Sequence, residues 1–189
     1  MSVAYLLTRG INRGRWKSMS IPIVWVCSLL PDLDLLIPGV RHMGPTHSII
    51  FAIIAFLPLF IYKKDEVLPY FLGYASHTIL GDLITNYGTW FLWPLTQRRF
   101  SIALPFIFRR TFSTNLELAL FGFFAIIFIA TRDYEKIIYS NNMSPFLLIP
   151  FVALLVPLVF KFPIPVPLPL IPPHLILMAV VIKPLIQQT

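Results

Sequence analysis

The chain has 189 residues, 57% of them hydrophobic and only 12% charged, with a formal net charge of +7 and a mean hydropathy of +0.79. Soluble domains carry about 25% charged residues, so this chain has too few to coat a water-facing surface, and its hydrophobicity excludes intrinsic disorder. At about 20 residues per span, the composition predicts an all-α, polytopic integral membrane bundle of five or six apolar segments, with no room for a separate soluble domain.

The basic excess fits anchoring at an anionic cytoplasmic membrane surface, and no basic tract interleaved with aromatics argues for nucleic acid. The single cysteine, Cys27, lies in an apolar run, which excludes a disulfide framework or a multi-cysteine metal site.

In chain order, a basic start (Arg9, Arg13, Arg15, Lys17) precedes an apolar stretch over 19–40. Pro31-Asp32-Leu33-Asp34 interrupts it with no small-residue cleavage site, so it is not a signal peptide but a short span or a re-entrant element. Residues 46–62 predict a helix closed by Lys63-Lys64-Asp65-Glu66, and 67–84 its antiparallel return partner. A polar and aromatic connection over 85–113 carries Arg98, Arg99, Arg109 and Arg110, with Tyr87, Trp90 and Trp93 expected as an interfacial belt. A further span is expected over 114–131, capped by Thr114 with Glu117 three positions on.

Residues 132–143 read as a polar loop and 144–160 as another apolar run. Ten of the eighteen prolines follow residue 144, which predicts a broken hairpin near 163–173 and a last helix over about 173–186. The division expected is residues 1–131 as the functional domain and 132–189 as a proline-rich membrane hairpin. Lys and Arg fall mainly on the N-terminal side, which predicts a multi-pass membrane protein with a cytoplasmic N-terminus. If 19–40 is re-entrant, the candidate site also faces the cytoplasm.

The few ionisable residues are unevenly spent. Three of four histidines (His42, His47, His77) and four of five aspartates fall within 32–82; Asp65 belongs to the charged helix end Lys63-Lys64-Asp65-Glu66, which leaves Asp32, Asp34 and Asp82 to set beside the histidines. Asp32 and Asp34 end the first apolar segment, His42 follows in a short loop and His47 opens the next helix. His77 and Asp82 close the antiparallel return, so topology alone brings all six to one membrane face. Any one of them has a bland reading, the aspartates as capping groups and each histidine as an interfacial side chain. It is the convergence that points to a site.

Imidazoles and carboxylates together bind divalent transition metals and activate water. One geometric conflict stands in the way. Residues five apart on an ideal helix, such as His77 and Asp82, are turned about 140° from one another. His174 stands alone in the tail and reads as structural. Arg98-Arg99 reads as a cytoplasmic anchor or, through its guanidinium forks, as a phosphate holder.

Five motifs occur in order: Leu30-Pro31-Asp32-Leu33-Asp34, His42-Met43-Gly44-Pro45-Thr46-His47-Ser48, Gly73-Tyr74-Ala75-Ser76-His77, Gly81-Asp82-Leu83-Ile84-Thr85, and Leu92-Trp93-Pro94-Leu95 with Arg98-Arg99-Phe100. Over about residues 1–131 the chain resembles small polytopic membrane-bound, metal-dependent hydrolases, a family that includes an SOS-regulated inner-membrane member. That family is distantly similar to zinc-dependent phospholipase C. The resemblance implies Asp32, Asp34, His42, His47, His77 and Asp82 as candidate ligands of a divalent metal, zinc first, with the number of ions open. It further implies hydrolysis of a phosphate ester, a membrane lipid being one candidate; for such a reaction Asp32 or Asp34 is expected as the catalytic carboxylate, base or outer orienter, and Arg98 and Arg99 as the substrate-binding pair. Many members carry a histidine near the N-terminus; here none precedes His42, and Tyr5 stands in roughly that region. Two rival classes are a transporter or ion-conducting protein using the same cluster, and a non-catalytic membrane scaffold.

Overall fold

A computed structural model of the protein describes residues 1–12, 19–83, 88–101, 106–139, 145–161 and 165–186. Arg13, Arg15, Lys17 and Tyr87 lie outside the described residues. Every regular element among those described is a helix, and one isolated antiparallel bridge joins Thr89 to Phe100. The chain divides into two compact units, one over Val3–Phe112 with Met1, the other over Ser113–Thr189 with Ser2.

In the first unit, α1 covers Ser2–Asn12, with Tyr5 and Thr8 fully buried. The apolar stretch 19–40 does not form one helix. Instead α2 occupies only Ile21–Cys27, and a 3₁₀ segment, Leu30–Leu36, carries both aspartates. Seven residues rise about 10 Å, far short of a 30 Å hydrocarbon core, so α2 cannot cross it. Pro31 at the start of the 3₁₀ segment cannot donate into a continuing α-helix.

A second 3₁₀ turn, Pro45–His47, leads into α3, Ile49–Lys63. The hydroxyl of Ser48 caps α3, accepting from the N–H groups of Ile50 and Phe51 at 3.1 and 3.3 Å. α4, Leu68–Ser76, returns and widens into a π-helical stretch, His77–Leu83. Cys27, Ala52, Phe56, Val67 and Tyr74 form the core, and the Phe56 ring meets those of Phe71 and Tyr74 edge-on at 5.7 and 5.8 Å. Gly73 lets α2 and α4 approach: a Cβ there would lie 2.8 Å from the Val24 carbonyl oxygen.

The second unit begins within α5, Phe106–Ala130. Thr114 is therefore not a cap, because the helix is already formed eight residues earlier; Ser113 instead donates to Glu117 at 3.1 Å. The loop expected after 131 contains a short helix, α6, Asp133–Ile138, entered through a left-handed Arg132. Its fully buried Asp133 pairs with Lys136 at 2.5 Å. α7 covers Leu148–Val159 and α8 Ile171–Ile186, after a 3₁₀ turn at Leu168–Leu170. Pro172 and Pro173 sit in the first turn of α8, where a missing N–H costs no helical hydrogen bond.

Two helical segments among the described residues, Phe112–Ala130 and Leu168–Ile186, are long and apolar enough to cross a membrane. That corrects the five or six spans expected from composition. The 15 residues of α3 rise about 22 Å and α4 is interrupted by its π-helical end, so apolar sequence there does not become a long continuous helix.

Candidate metal centre

Four short elements of the first unit supply the six groups. The 3₁₀ segment Leu30–Leu36 brings Asp32 and Asp34, the loop after it His42, the turn Pro45–His47 its last residue, and the end of α4 brings His77 and Asp82. The π-helical turn removes the 140° conflict. It closes i to i+5, which stacks residues five apart, and His77 Nε2 lies 3.7 Å from Asp82 Oδ1.

Each histidine has one ring nitrogen engaged. His47 Nδ1 lies 2.5 Å from Asp82 Oδ2, and His77 Nδ1 donates to the Ser28 carbonyl at 2.9 Å. Both Nε2 atoms consequently turn toward the aspartates. His47 Nε2 is 3.4 Å from Asp34 Oδ2 and 3.8 Å from Asp32 Oδ1, and His77 Nε2 is 3.4 Å from the same Asp32 oxygen. His42 Nδ1 meets Asp34 Oδ1 at 2.9 Å, while the Thr46 hydroxyl donates to Asp34 Oδ2 at 3.1 Å.

The His47 ring is fully buried and its Nε2 has no hydrogen-bond partner among the described residues. A buried polar atom left unsatisfied costs about 1–3 kcal/mol, so such an atom calls for a reason. The spacing offers one. Donors on a tetrahedral ion at 2.0–2.1 Å stand about 3.3 Å apart, close to the 3.4–3.8 Å between these nitrogens and carboxylates. Asp32, His47 and His77 form one group able to hold a metal ion, and Asp34, His42 and His47 another, each within 4.8 Å. Asp82, expected among the ligands, sets Oδ2 against His47 Nδ1 at 2.5 Å and Oδ1 3.7 Å from His77 Nε2.

Burial by itself would lift the Asp32 carboxyl. The hydrogen bond and charge of His77, helped by His47 and His42, instead hold it below the usual carboxylate range. Burial likewise opposes a charge on His77, yet Asp32 and then Asp82 raise its imidazole above the ordinary value.

A strap over residues 89–93 fixes the loop bearing His42 and His47. Trp90 N–H donates to Met43 O at 3.2 Å, Ile49 N–H to Phe91 O at 3.0 Å, and Ser48 Oγ to Trp93 O at 2.6 Å. The Thr89 hydroxyl reaches the His47 carbonyl at 3.3 Å. Trp90 also lies under the Arg41 guanidinium, 5.4 Å from ring centre to charge. Thr46, Tyr74 and Ser28 were not anticipated as site residues; the Tyr74 hydroxyl donates to the Thr46 carbonyl. Their roles rest on contacts between residues 12 to 49 positions apart, which no local pattern announces. Arg98 and Arg99 are exposed, with the Arg98 N–H donating to Thr96 Oγ1 at 3.1 Å. His174 belongs to the second unit and bonds the Leu170 carbonyl at 2.9 Å.

The YdjM inner membrane protein family matches residues 1–164, most of the chain. The chain belongs to that family. The match includes all six His and Asp residues and continues past residue 131, where the resemblance read from the motifs ends. It agrees with the apolar composition and with the two long apolar helices in making this a membrane protein. No curated protein and no solved structure matches the chain.

Proposed function

We propose that this chain is a membrane-embedded, metal-dependent hydrolase, with His47, His77 and the neighbouring aspartates holding a divalent cation, zinc first. The observation that carries the reading is the buried His47 Nε2, without a hydrogen-bond partner among the described residues and aimed at two carboxylates. A bound divalent ion supplies a Lewis acid and makes water acidic enough to react near neutral pH.

The two aspartates expected to be catalytic differ in access. The Asp34 side chain is completely buried, held by His42 and Thr46. Asp32 is 38% exposed, and both of its histidine contacts use Oδ1. Its other oxygen faces no such claim, so Asp32 Oδ2 takes the proton from the attacking water, and Asp34 holds His42 in place. Asp82 keeps the His47 proton on Nδ1, which leaves Nε2 free to ligate.

The substrate class, a phosphate ester of a lipid or another amphiphile, rests on the motif resemblance. The exposed Arg98 and Arg99 are suited to steady its anionic group. The test is elemental analysis of the full-length protein purified in detergent, followed by hydrolysis of a chromogenic phosphodiester with and without chelator. Bound metal and chelator-sensitive turnover are expected. A folded protein that takes up no divalent metal overturns the reading, and metal uptake into liposomes without turnover assigns the cluster to transport.

A further inference from the structure

The two groups able to hold a metal overlap in one atom, and that overlap limits how many ions the cluster takes. Both need His47, whose Nδ1 is occupied by Asp82 at 2.5 Å. Only Nε2 remains, and a nitrogen lone pair bonds one ion. The remaining groups are not equivalent. On one side, His77 donates its Nδ1–H to the Ser28 carbonyl, an atom that only accepts, so its Nε2 is the nitrogen left to ligate. It stands 3.4 Å from Asp32 Oδ1, a distance suited to two ligands around one centre rather than to a strong hydrogen bond.

On the other side, His42 Nδ1 and Asp34 Oδ1 are already bonded to each other at 2.9 Å, and Asp34 Oδ2 accepts from Thr46 at 3.1 Å. The Thr46 backbone is in turn held by the Tyr74 hydroxyl. Without His47, that side offers Asp34, both of whose oxygens are already engaged, and His42, whose Nδ1 is engaged, so at most two ligands.

We infer that the cluster takes a single divalent ion, held by Asp32, His47 and His77, while Asp34, His42 and Thr46 form an outer brace that positions it. This inference rests on the metal-dependent reading above. Thr46 and Tyr74 are positioning residues here, acting through Asp34 and the Pro45–His47 turn.

Cobalt(II) titration of the metal-stripped, full-length protein tests it, reading bound cobalt per chain and the visible ligand-field spectrum. One cobalt per chain is expected, with tetrahedral-type absorption. His77→Gln should weaken binding at least 100-fold and change the spectrum. Thr46→Val and His42→Ala should each keep one cobalt per chain and weaken binding about tenfold, as loss of an outer partner does. Thr46→Ser should restore wild-type affinity, which a purely packing role for Thr46 would not require. Unchanged far-ultraviolet circular dichroism separates these outcomes from misfolding. Two cobalt ions per chain, or loss of all binding in His42→Ala with the fold intact, overturns the single-ion division and leaves the metal reading standing. No cobalt bound to folded wild type overturns both.

Discussion

His47 Nδ1 and Asp82 Oδ2 lie 2.5 Å apart across 35 residues of sequence, joining the turn before α3 to the π-helical end of α4. The contact does two things at once. It ties two helices together at the site, and it decides which nitrogen of His47 faces Asp32 and Asp34.

Replacing Asp82 by Asn should therefore lower metal affinity by about 10–100-fold, the usual cost of losing an orienting carboxylate behind a ligating histidine. Competition with a chromogenic chelator measures it. Wild-type affinity in Asp82→Asn would show that the carboxylate does not orient the ring.

The metal-free chain should have a stability maximum at mildly acidic pH. Asp32 is held below its ordinary value, so its contribution is present above about pH 4 and fades as pH falls through the lowered value. His77 is raised, so its contribution is complete below about pH 6.5 and fades as pH rises through the raised value. A divalent ion ligates the neutral imidazole, so adding zinc should abolish the alkaline decline. Thermal unfolding across pH, with chelator and then with zinc, reads both limbs.

Ser48→Ala should destabilise the first unit by about 2 kcal/mol. It removes the cap of α3 and leaves the Phe91 and Trp93 carbonyls without their shared donor. The unfolding midpoint in detergent should fall, and metal affinity should fall with it, because the same strap fixes His47.

Gly73→Ala tests the crossing of α2 and α4. The added methyl would meet the Val24 carbonyl at 2.8 Å and Cys27 Cβ at 3.4 Å, and a backbone oxygen cannot rotate away. A loss of about 1–3 kcal/mol is expected, read as a lowered unfolding midpoint. An unchanged midpoint would mean that the helices separate at no cost.

Arg98→Ala with Arg99→Ala should leave metal content and the unfolding midpoint unchanged, since both side chains are exposed. If they steady an anionic substrate, the double variant raises KM for the phosphodiester by severalfold. Unchanged KM would return them to a surface-anchoring role.

Much was already determined by the sequence. Composition placed the chain in lipid, because 12% charge cannot clothe a soluble surface. Asp32, Asp34, His42, His47, His77 and Asp82, all within 32–82, marked a candidate site, since such groups are costly at membrane depth. The motifs indicated an inner-membrane protein family, and that much the match over residues 1–164 shows.

The tertiary structure decided what period and composition cannot express. Among the described residues between 19 and 83 no helix reaches the length of a span: Pro31 keeps α2 from continuing, α3 stops at 15 residues, and the π-helical turn interrupts α4. That same turn brings His77 and Asp82 to one side, where an ideal α-helix would part them. The division of labour among the six also appears only in three dimensions. Which nitrogen of a histidine is free depends on what lies behind the ring, and Ser28 and Asp82 reach His77 and His47 from 49 and 35 residues away. Hydrogen bonds at that range come from packing, which hydropathy does not encode.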